Sequence, residues 1–325
     1  MSTSRKEFLK RLLVPYWLRP ESALWYAHEA FLTQSYVGAQ LKSPSLELGC
    51  MEGTSSFVML GGQFGAAFDV YGEVSWSRDS LRWKSHEQDY YNTVGTEKTE
   101  ALDIKVQPSA KFDVGVAWKK AHAVKAGRLG IYNKLVEQES SAPLAMLAPG
   151  QFETVWAPNF YWIDRLEPLL GEVRRVLRPN GRLITVLPDS AALTHMIYQS
   201  KGRADKDWIS DLDRGRYANI ARQARTLTEW TKFFEQNKFR ITRQERYLPA
   251  LVLKVNDIGL RPLFPVLMDI YETLRQKCPE DFERIKQSWI DTAYHFLAPM
   301  CETEWMNPGE AGQVWHIFEL TAGKN

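Results

Sequence analysis

A short glycine-containing stretch, ELGCMEG, is the part of the sequence best suited to bring the backbone close to a ligand. It runs from Glu47 to Gly53 and follows an apolar run that is typical of a strand. Glycine leaves room for a ligand beside the backbone, and the helix that follows offers free N–H groups. The spacing is neither the GxGxxG of dinucleotide-binding proteins nor a P-loop. The stretch therefore predicts a ligand-binding turn without identifying the ligand.

Three side chains further along the chain are candidates for acid–base chemistry. Tyr161 and Asp164 follow the predicted strand FETVWAPN, and His195 follows the next strand. Open α/β sheets bind ligands at the carboxyl ends of their strands. His195 is the best single base because histidine titrates near neutral pH, and the alternative is an ordinary packing or surface histidine. The histidines lack HxH or HExxH spacing and the cysteines lack CxxC spacing, so we expect no metal site.

Aromatic and basic residues around these positions predict a substrate-binding shell. The chain contains 12 Trp and 13 Tyr, several of them in segments that also carry polar residues. Aromatic rings line substrate pockets, and arginines bind carboxylates or phosphates. The alternative is that the rings pack in the core and the arginines form structural salt bridges. The expected substrate-binding residues are Trp17, Arg19, Tyr26, Trp162, Tyr198, Arg216 and Arg261.

Strands and helices alternate at short spacing between residues 45 and 188, and this pattern must position those side chains. Runs such as SLELGC, KFDVGVAW and GRLITVLP are typical of strands, and LEPLLGEVRRVLRP is typical of a helix. The strands lack polar–apolar alternation, as in a parallel sheet covered on both faces. We therefore predict an α/β fold with a doubly wound, Rossmann-like sheet and helical caps.

Composition excludes several classes of protein. The length of 325 residues is enough for about two domains, or for one domain with large insertions. A composition of 44% hydrophobic and 25% charged residues disfavours disorder. A net charge of +2 without a basic cluster disfavours a nucleic-acid partner. Pro15 and Arg19 interrupt the first apolar run, which disfavours an export signal, and no uncharged run is long enough to span a membrane. We expect a cytoplasmic protein that binds a small molecule, with no nucleic-acid or membrane partner.

A second motif, LEPLLGEVRRVLRPNGRLITVLPD, supplies a family resemblance. Its residues from Glu172 to Gly181, with Asn180 in place of one glycine, precede a strong strand. Together with the Glu47–Gly53 stretch, this motif resembles the class I S-adenosylmethionine (SAM)-dependent methyltransferases. The resemblance covers roughly residues 45–250 and 312–324, where WHIFELTAGK corresponds to the antiparallel last strand of the family. It implies SAM as cofactor, S-adenosylhomocysteine as product, and O- or N-methylation of a small or medium-sized metabolite, such as a secondary metabolite or sugar.

The resemblance also implies residues that hold the methionine end of the cofactor. These positions lie in the turn after the first strand, and a methionine replaces the middle glycine of the family. They are Glu47, Gly49, Cys50, Met51 and Gly53.

The end of the second strand, where the family has an acid for the ribose hydroxyls, has two placements. Asp69 lies at the usual interval from Glu47, whereas Ala117 ends a run that matches the strand–helix unit of the family better. We favour Ala117, which is followed by Trp118, with Asp69 opening an insertion. The remaining positions implied by the resemblance lie near adenine and near the reaction centre, and they are Gln138, Glu139 and Asn159.

The expected organisation is a core with caps. Residues 1–44 form an N-terminal helical cap, and residues 45–256 with 311–325 form the core, which carries an insertion at 70–110. Residues 257–310 form a helical insertion that caps the site or contributes to a homodimer interface. Met51 and Ala117 depart from the family pattern. The alternative is therefore a methyltransferase fold that has lost methyl transfer, either as another enzyme or as a non-catalytic partner or regulatory protein.

Overall fold

The strands of the protein form one large sheet and one small hairpin in a computed structural model, which describes residues 3–73, 102–200, 209, 213 and 215–323. The strands are β1 (Ser45–Leu48), β2 (Gln63–Phe64), β3 (Ile104–Val106), β4 (Phe112–Ala117), β5 (Tyr132–Glu137), β6 (Phe152–Ala157), β7 (Leu177–Pro188), β8 (Phe239–Pro249) and β9 (Gln313–Ala322). β2 and β3 pair only with each other, and the other seven form the large sheet.

The order of the large sheet confirms the expected fold class. The strands lie in the order β5–β4–β1–β6–β7–β9–β8. Neighbours from β5 to β7 are parallel, whereas β9 is antiparallel to both β7 and β8. The sheet is thus doubly wound and mostly parallel, with an antiparallel last strand. This arrangement aligns the carboxyl ends of β1, β4 and β6, where the glycine-containing turn begins.

Helices cover both faces of the sheet. They are α1 (Arg5–Leu13), α2 (Pro20–Thr33), α3 (Thr54–Met59), α4 (Lys120–Gly127), α5 (Leu166–Val176), α6 (Ala192–His195), α7 (Arg216–Gln223), α8 (Leu227–Gln236), α9 (Ala250–Ile258), α10 (Phe264–Lys277), α11 (Pro279–Leu297) and α12 (Pro308–Ala311). In the part of the chain that the structure describes, no helix has the length and apolar character needed to cross a membrane.

Two apolar cores lie on opposite faces of the sheet because successive strand residues point in opposite directions. Leu46 and Leu48 face the core that contains α5 and α8. The other core contains apolar residues of α1, α2 and α3, together with Trp156 and Trp315. Every residue of β1 is buried, so Glu47, which lies between the two leucines, is buried as well.

The caps predicted at the two ends of the chain lie on the same face of the sheet. α1 packs against α2 and α11, and α2 packs against α9. Apolar residues of these helices belong to one continuous core. The N-terminal and C-terminal helical segments therefore pack against each other in the core on that face.

The strand beside β1 is Phe112–Ala117, the placement that we favoured, so Ala117 is the residue at its end. Asp69 precedes a short 3-10 helix at Val70–Glu73, and no strand of the large sheet contains it. It accepts hydrogen bonds from Trp17 Nε1 and from the Tyr271 hydroxyl. Asp69 therefore joins the two caps instead of ending a sheet strand. Of the expected insertion at 70–110, residues 74–101 lie outside the described part of the chain.

Candidate functional site

A cavity of about 750 Å³ lies at the carboxyl ends of β1, β4 and β6, beneath the N-terminal cap. This volume is within the range of small-molecule sites. Eleven residues predicted from the sequence line it, namely Arg19, Tyr26, Cys50, Met51, Gly53, Trp118, Glu139, Asn159, Tyr161, Trp162 and Arg216. One cavity thus brings together residues expected for the cofactor and residues expected for the substrate.

Nine predicted residues do not line this cavity. They are Trp17, Glu47, Gly49, Ala117, Gln138, Asp164, His195, Tyr198 and Arg261. Two of them, Glu47 and Gly49, lie outside the cavity and hold the turn after β1 in place.

The turn after β1 is a tight left-handed structure held by its neighbours. Gly49 has φ of +78°, and Met51 has φ of +49°, which is uncommon for a residue with a side chain. A Cβ atom at Gly49 would lie 2.3 Å from the indole of Trp118, so only glycine allows this close approach. Asn159 Nδ2 donates a hydrogen bond of 2.8 Å to the Gly49 carbonyl, which ties the turn to the end of β6.

Glu47 lies below the turn and not in the cavity. Its carboxylate accepts hydrogen bonds from Ser56 Oγ at 2.6 Å and from the Tyr132 hydroxyl at 2.8 Å. Burial raises the pKa of Glu47 to about 8 against the effect of these two donors. The structure therefore gives Glu47 a supporting position, fixing β1 against α3 and β5.

His122 is a cavity-lining residue that the sequence reasoning did not select. It lies on α4 and is buried, and neither ring nitrogen has a hydrogen-bond partner among the described residues. Burial, with smaller effects of Lys119 and Lys125, lowers the pKa of His122 to about 4. The ring is therefore neutral near pH 7 and offers one donor and one acceptor. His122 follows Ala117, where the family pattern has an acid, by five residues in the sequence.

The side chain of Gln138 does not line the cavity. Gln138 Nε2 donates to the Ala142 carbonyl at 3.0 Å, and its Oε1 is buried without a partner in the described structure. Glu139 next to it lines the cavity and is exposed. At this position Glu139, not Gln138, faces the cavity.

Of the three candidate acid–base residues, the structure brings only Tyr161 to the cavity. Its ring packs against Trp162 and Trp315, with centroid distances of 5.1 and 5.5 Å. Burial raises the pKa of the Tyr161 hydroxyl well above its usual value, so it stays protonated near neutral pH. His195 lies on α6 outside the cavity, and the exposed Asp164 forms an ion pair with Arg222. This geometry gives His195 and Asp164 no direct access to a bound ligand.

The three arginines expected in the substrate shell converge, but acids lie among them. Arg19 Nε is 2.5 Å from the Glu21 carboxylate, and Arg261 donates to the Asp257 carbonyl at 2.7 Å. Burial, followed by the charge of Arg216, lowers the pKa of Arg261 to about 9. The geometry thus favours the structural ion-pair interpretation for Arg261.

Two aromatic residues of the predicted shell have structural contacts instead. Trp17 is buried and donates its Nε1 hydrogen to Asp69, and Tyr198 stacks on Tyr217 with centroids 4.6 Å apart. Glu29 and Trp315 also line the cavity, and the sequence reasoning does not select them. The residues that face the cavity depend on how α2 lies across the sheet, which the sequence pattern does not determine.

Comparison with known proteins finds similarity to solved structures only. No protein-family model and no curated protein matches the chain. It is similar to a SAM-dependent methyltransferase from Thiobacillus denitrificans in complex with S-adenosyl-L-homocysteine, with 11% identity, a TM-score of 0.42, and coverage of 90% of this chain and 91% of that one. It is also similar to a sarcosine dimethylglycine methyltransferase from Galdieria sulphuraria, an assignment given as provisional, with 10% identity, a TM-score of 0.44, and coverage of 93% and 87%.

A third similar structure is the [4+2]-cyclase SpnF, with 9% identity, a TM-score of 0.44, and coverage of 92% of this chain and 82% of that one. Sequence identities this low leave the ligand of the cavity to be argued from the residues of this chain.

Proposed function

We propose that this protein is a SAM-dependent methyltransferase that acts on a small or medium-sized metabolite at oxygen or nitrogen. The observation that carries the proposal is the single cavity that joins the turn at Cys50–Ser55 to an aromatic wall. It opens at the carboxyl ends of parallel strands, the usual ligand site of such sheets. The family resemblance of the motifs at Glu47–Gly53 and Glu172–Gly181 supports the same cofactor.

The residues present fit a cofactor with an amino-acid end and a nucleoside end. Backbone and side chains of Cys50, Met51 and Gly53 would hold the methionine end. His122 has two buried ring nitrogens without partners in the described structure, and it would bond the nucleoside end where Ala117 offers no polar group. Trp118 would lie against the same end. The fit therefore rests on His122 in place of an acid.

Methyl transfer from a sulfonium is a direct displacement, in which bound SAM supplies the reactive methyl group. The chain must then align the acceptor atom and exclude water. The Tyr161 hydroxyl, which stays protonated, can orient the acceptor molecule through a hydrogen bond. Because this hydroxyl is not a base near neutral pH, the proton that the acceptor atom loses on methylation passes to water. The rings of Trp162 and Trp315 keep that part of the cavity apolar.

Calorimetric titration with SAM and with S-adenosylhomocysteine tests the proposal. We expect both to bind with micromolar affinity, about −8 kcal/mol. Gly53→Val should weaken binding of both at least tenfold, because a side chain at φ of +77° would crowd Leu129 and Tyr132 and displace the turn that lines the cavity. Gly150→Val is the matched control, since Gly150 has φ of +62°, has open space around its Cβ position and lies outside the cavity. If neither ligand bound the wild-type protein at millimolar concentration, the proposal would be wrong.

A second candidate is a methyltransferase fold without methyl transfer. Met51 in the turn and Ala117 at the end of β4 favour it, because both replace groups that the family uses for the cofactor. Incubation with methyl-labelled SAM and fractionated metabolites separates the two candidates. Tight SAM binding without labelled product in any fraction would favour the second candidate.

A further inference from the structure

The cavity contains a buried carboxyl group, Glu29, that the proposed chemistry does not use. Glu29 lies on α2, is 7% exposed and lines the cavity. Its Oε2 accepts a hydrogen bond of 3.1 Å from the Tyr247 hydroxyl, and Trp25 donates to the same carboxylate. Among the ion pairs formed by the described residues, none includes Glu29. A buried carboxylate in that position is costly unless a cation accompanies it.

Aromatic rings surround this part of the cavity in several orientations. Trp25 and Trp315 have centroids 5.0 Å apart at 80°, and Trp315 and Tyr161 lie 5.5 Å apart at 88°. Tyr161 in turn contacts Trp162 at 5.1 Å. All four rings line the same cavity as Glu29. In such edge-to-face contacts the edge of one ring covers a face of the next, so the ring faces that remain uncovered are the ones that can attract a cation in the cavity.

The positive groups of the cavity do not neutralise Glu29. Arg19 pairs with Glu21, and Arg216 donates to the carbonyl and side-chain oxygens of Asn256 at 3.2 Å. Asp213 and Asp257 lie close enough to act on the same arginine cluster through their charges. In the described part of the chain, the cations that line the cavity are Arg19, Lys119 and Arg216, and only burial and the hydrogen bonds from Tyr247 and Trp25 shift the pKa of Glu29. The Glu29 carboxyl group thus lies beside the aromatic rings without an ion-pair partner among the described residues.

We propose that this part of the cavity binds the ammonium group of a small molecule, held between the Glu29 carboxylate and the faces of the tryptophan and tyrosine rings. That the small molecule is a methyl acceptor rests on the proposed function, but the binding itself does not. Burial raises the pKa of Glu29 to about 7, and a bound cation would favour its ionised form. The ligand class inferred for the site is therefore a quaternary ammonium metabolite or an amine bound in its ammonium form. Because such a cation has no free lone pair, the methyl-accepting atom would be another oxygen or nitrogen of the same molecule.

The test compares two ligands of the same shape on the wild-type protein, at mildly alkaline pH where Glu29 is ionised. One ligand is choline, and the other is its neutral isostere, in which a quaternary carbon replaces the nitrogen. Tryptophan fluorescence and calorimetry report binding, since Trp25 and Trp315 line the cavity. We expect choline to bind at least tenfold more tightly than the neutral isostere. Equal affinities, or no choline binding at millimolar concentration, would overturn the proposal.

Variants then assign the charge effect to Glu29. Glu29→Gln keeps an acceptor for the Tyr247 hydroxyl and should lower choline affinity at least tenfold while leaving the isostere unchanged. Glu47→Gln is the matched control, because Glu47 is also a buried carboxyl with a raised pKa but lies outside the cavity. Retained choline affinity in Glu29→Gln would contradict the inference. If that variant fails to fold, the wild-type comparison of the two ligands still decides.

The proposals of a cation site and of a SAM-binding site can be contradicted independently of each other. Choline binding that depends on Glu29, without SAM binding, would leave the cation site standing and remove the methyltransferase proposal. SAM binding without preference for choline would do the reverse.

Discussion

At the scale of single residues, His122 gives the most specific prediction about cofactor binding. An imidazole buried without hydrogen-bond partners costs about 1–3 kcal/mol, so a purely structural residue at that position would be better apolar. His122→Leu should therefore raise the free energy of unfolding slightly and lower the affinity for S-adenosylhomocysteine about tenfold. Chemical denaturation and calorimetry measure the two effects. The exposed His295 on α11 gives the control His295→Leu, and unchanged cofactor affinity in His122→Leu would contradict the role.

A substitution at Gly49 tests how closely the turn after β1 packs on Trp118. Gly49→Ala should destabilise the protein by about 1–2 kcal/mol for its left-handed backbone, and further for the indole that lies 2.3 Å from the new Cβ. Gly150→Ala should lose only the stability that the left-handed backbone costs, because nothing lies within 4 Å of its Cβ position. Urea denaturation of both variants measures the difference. Equal losses would show that the Trp118 indole moves aside at little cost.

Part of the site could be predicted residue by residue, and part could not. Residues such as Cys50, Gly53 and Asn159 follow strands, and strand ends can be found in a sequence. Glu29 and His122 lie on helices, where nothing in the pattern separates a buried carboxyl or imidazole from a surface one. Their access to the cavity depends on how α2 and α4 pack across the sheet. His195 is the opposite case: its side-chain chemistry suits a catalytic base, but it lies outside the cavity.

At the scale of elements, the resemblance allowed the sheet to be predicted well because β1, β4 and β6 are short segments rich in apolar residues, and two of them lie next to the motifs that carry the resemblance. Asp69 is the position where the sequence left two placements open for the end of the second strand. It lies at a plausible interval after Glu47, but the strand beside β1 starts only at Phe112. Which run pairs with β1 is a long-range property that local hydrophobicity does not encode.

The α8 helix gives a prediction about its own stability. Thr226 Oγ1 accepts from the Glu229 amide, and the Glu229 carboxylate accepts from the Thr226 amide, so the two residues form a capping box. Thr226→Ala should lower the free energy of unfolding by about 1 kcal/mol, and Thr226→Ser should retain most of it. Thr228→Ala, at an exposed position inside the same helix, is the control. A loss as large in Thr228→Ala as in Thr226→Ala would show that capping is not the cause.

At the scale of the whole molecule, the stability should depend on pH through buried ionisable groups. Burial raises the pKa of Glu29 to about 7 and that of Glu47 to about 8, and lowers the pKa of His28 and of His122 to about 4. Between pH 4.5 and 6.5, the folded protein holds the two carboxyl protons and the unfolded chain gains the two histidine protons, so the effects oppose each other. Above pH 6.5 the histidine effect is complete, whereas the carboxyl groups still hold protons in the folded state that they lose on unfolding.

The free energy of unfolding should therefore fall as pH rises from about 6.5 to about 8, with a slope of at most about 1.4 kcal/mol per pH unit for each carboxyl. Glu47→Gln cannot ionise and can still hydrogen-bond to Ser56 and Tyr132, so its stability should fall less over the same interval. Urea denaturation at several pH values measures both slopes. Glu302→Gln, at an exposed ion pair with Lys6, should retain the wild-type slope. Parallel profiles for the wild-type protein and Glu47→Gln would mean that Glu47 is already ionised beneath the turn, and that Ser56 and Tyr132 offset its burial.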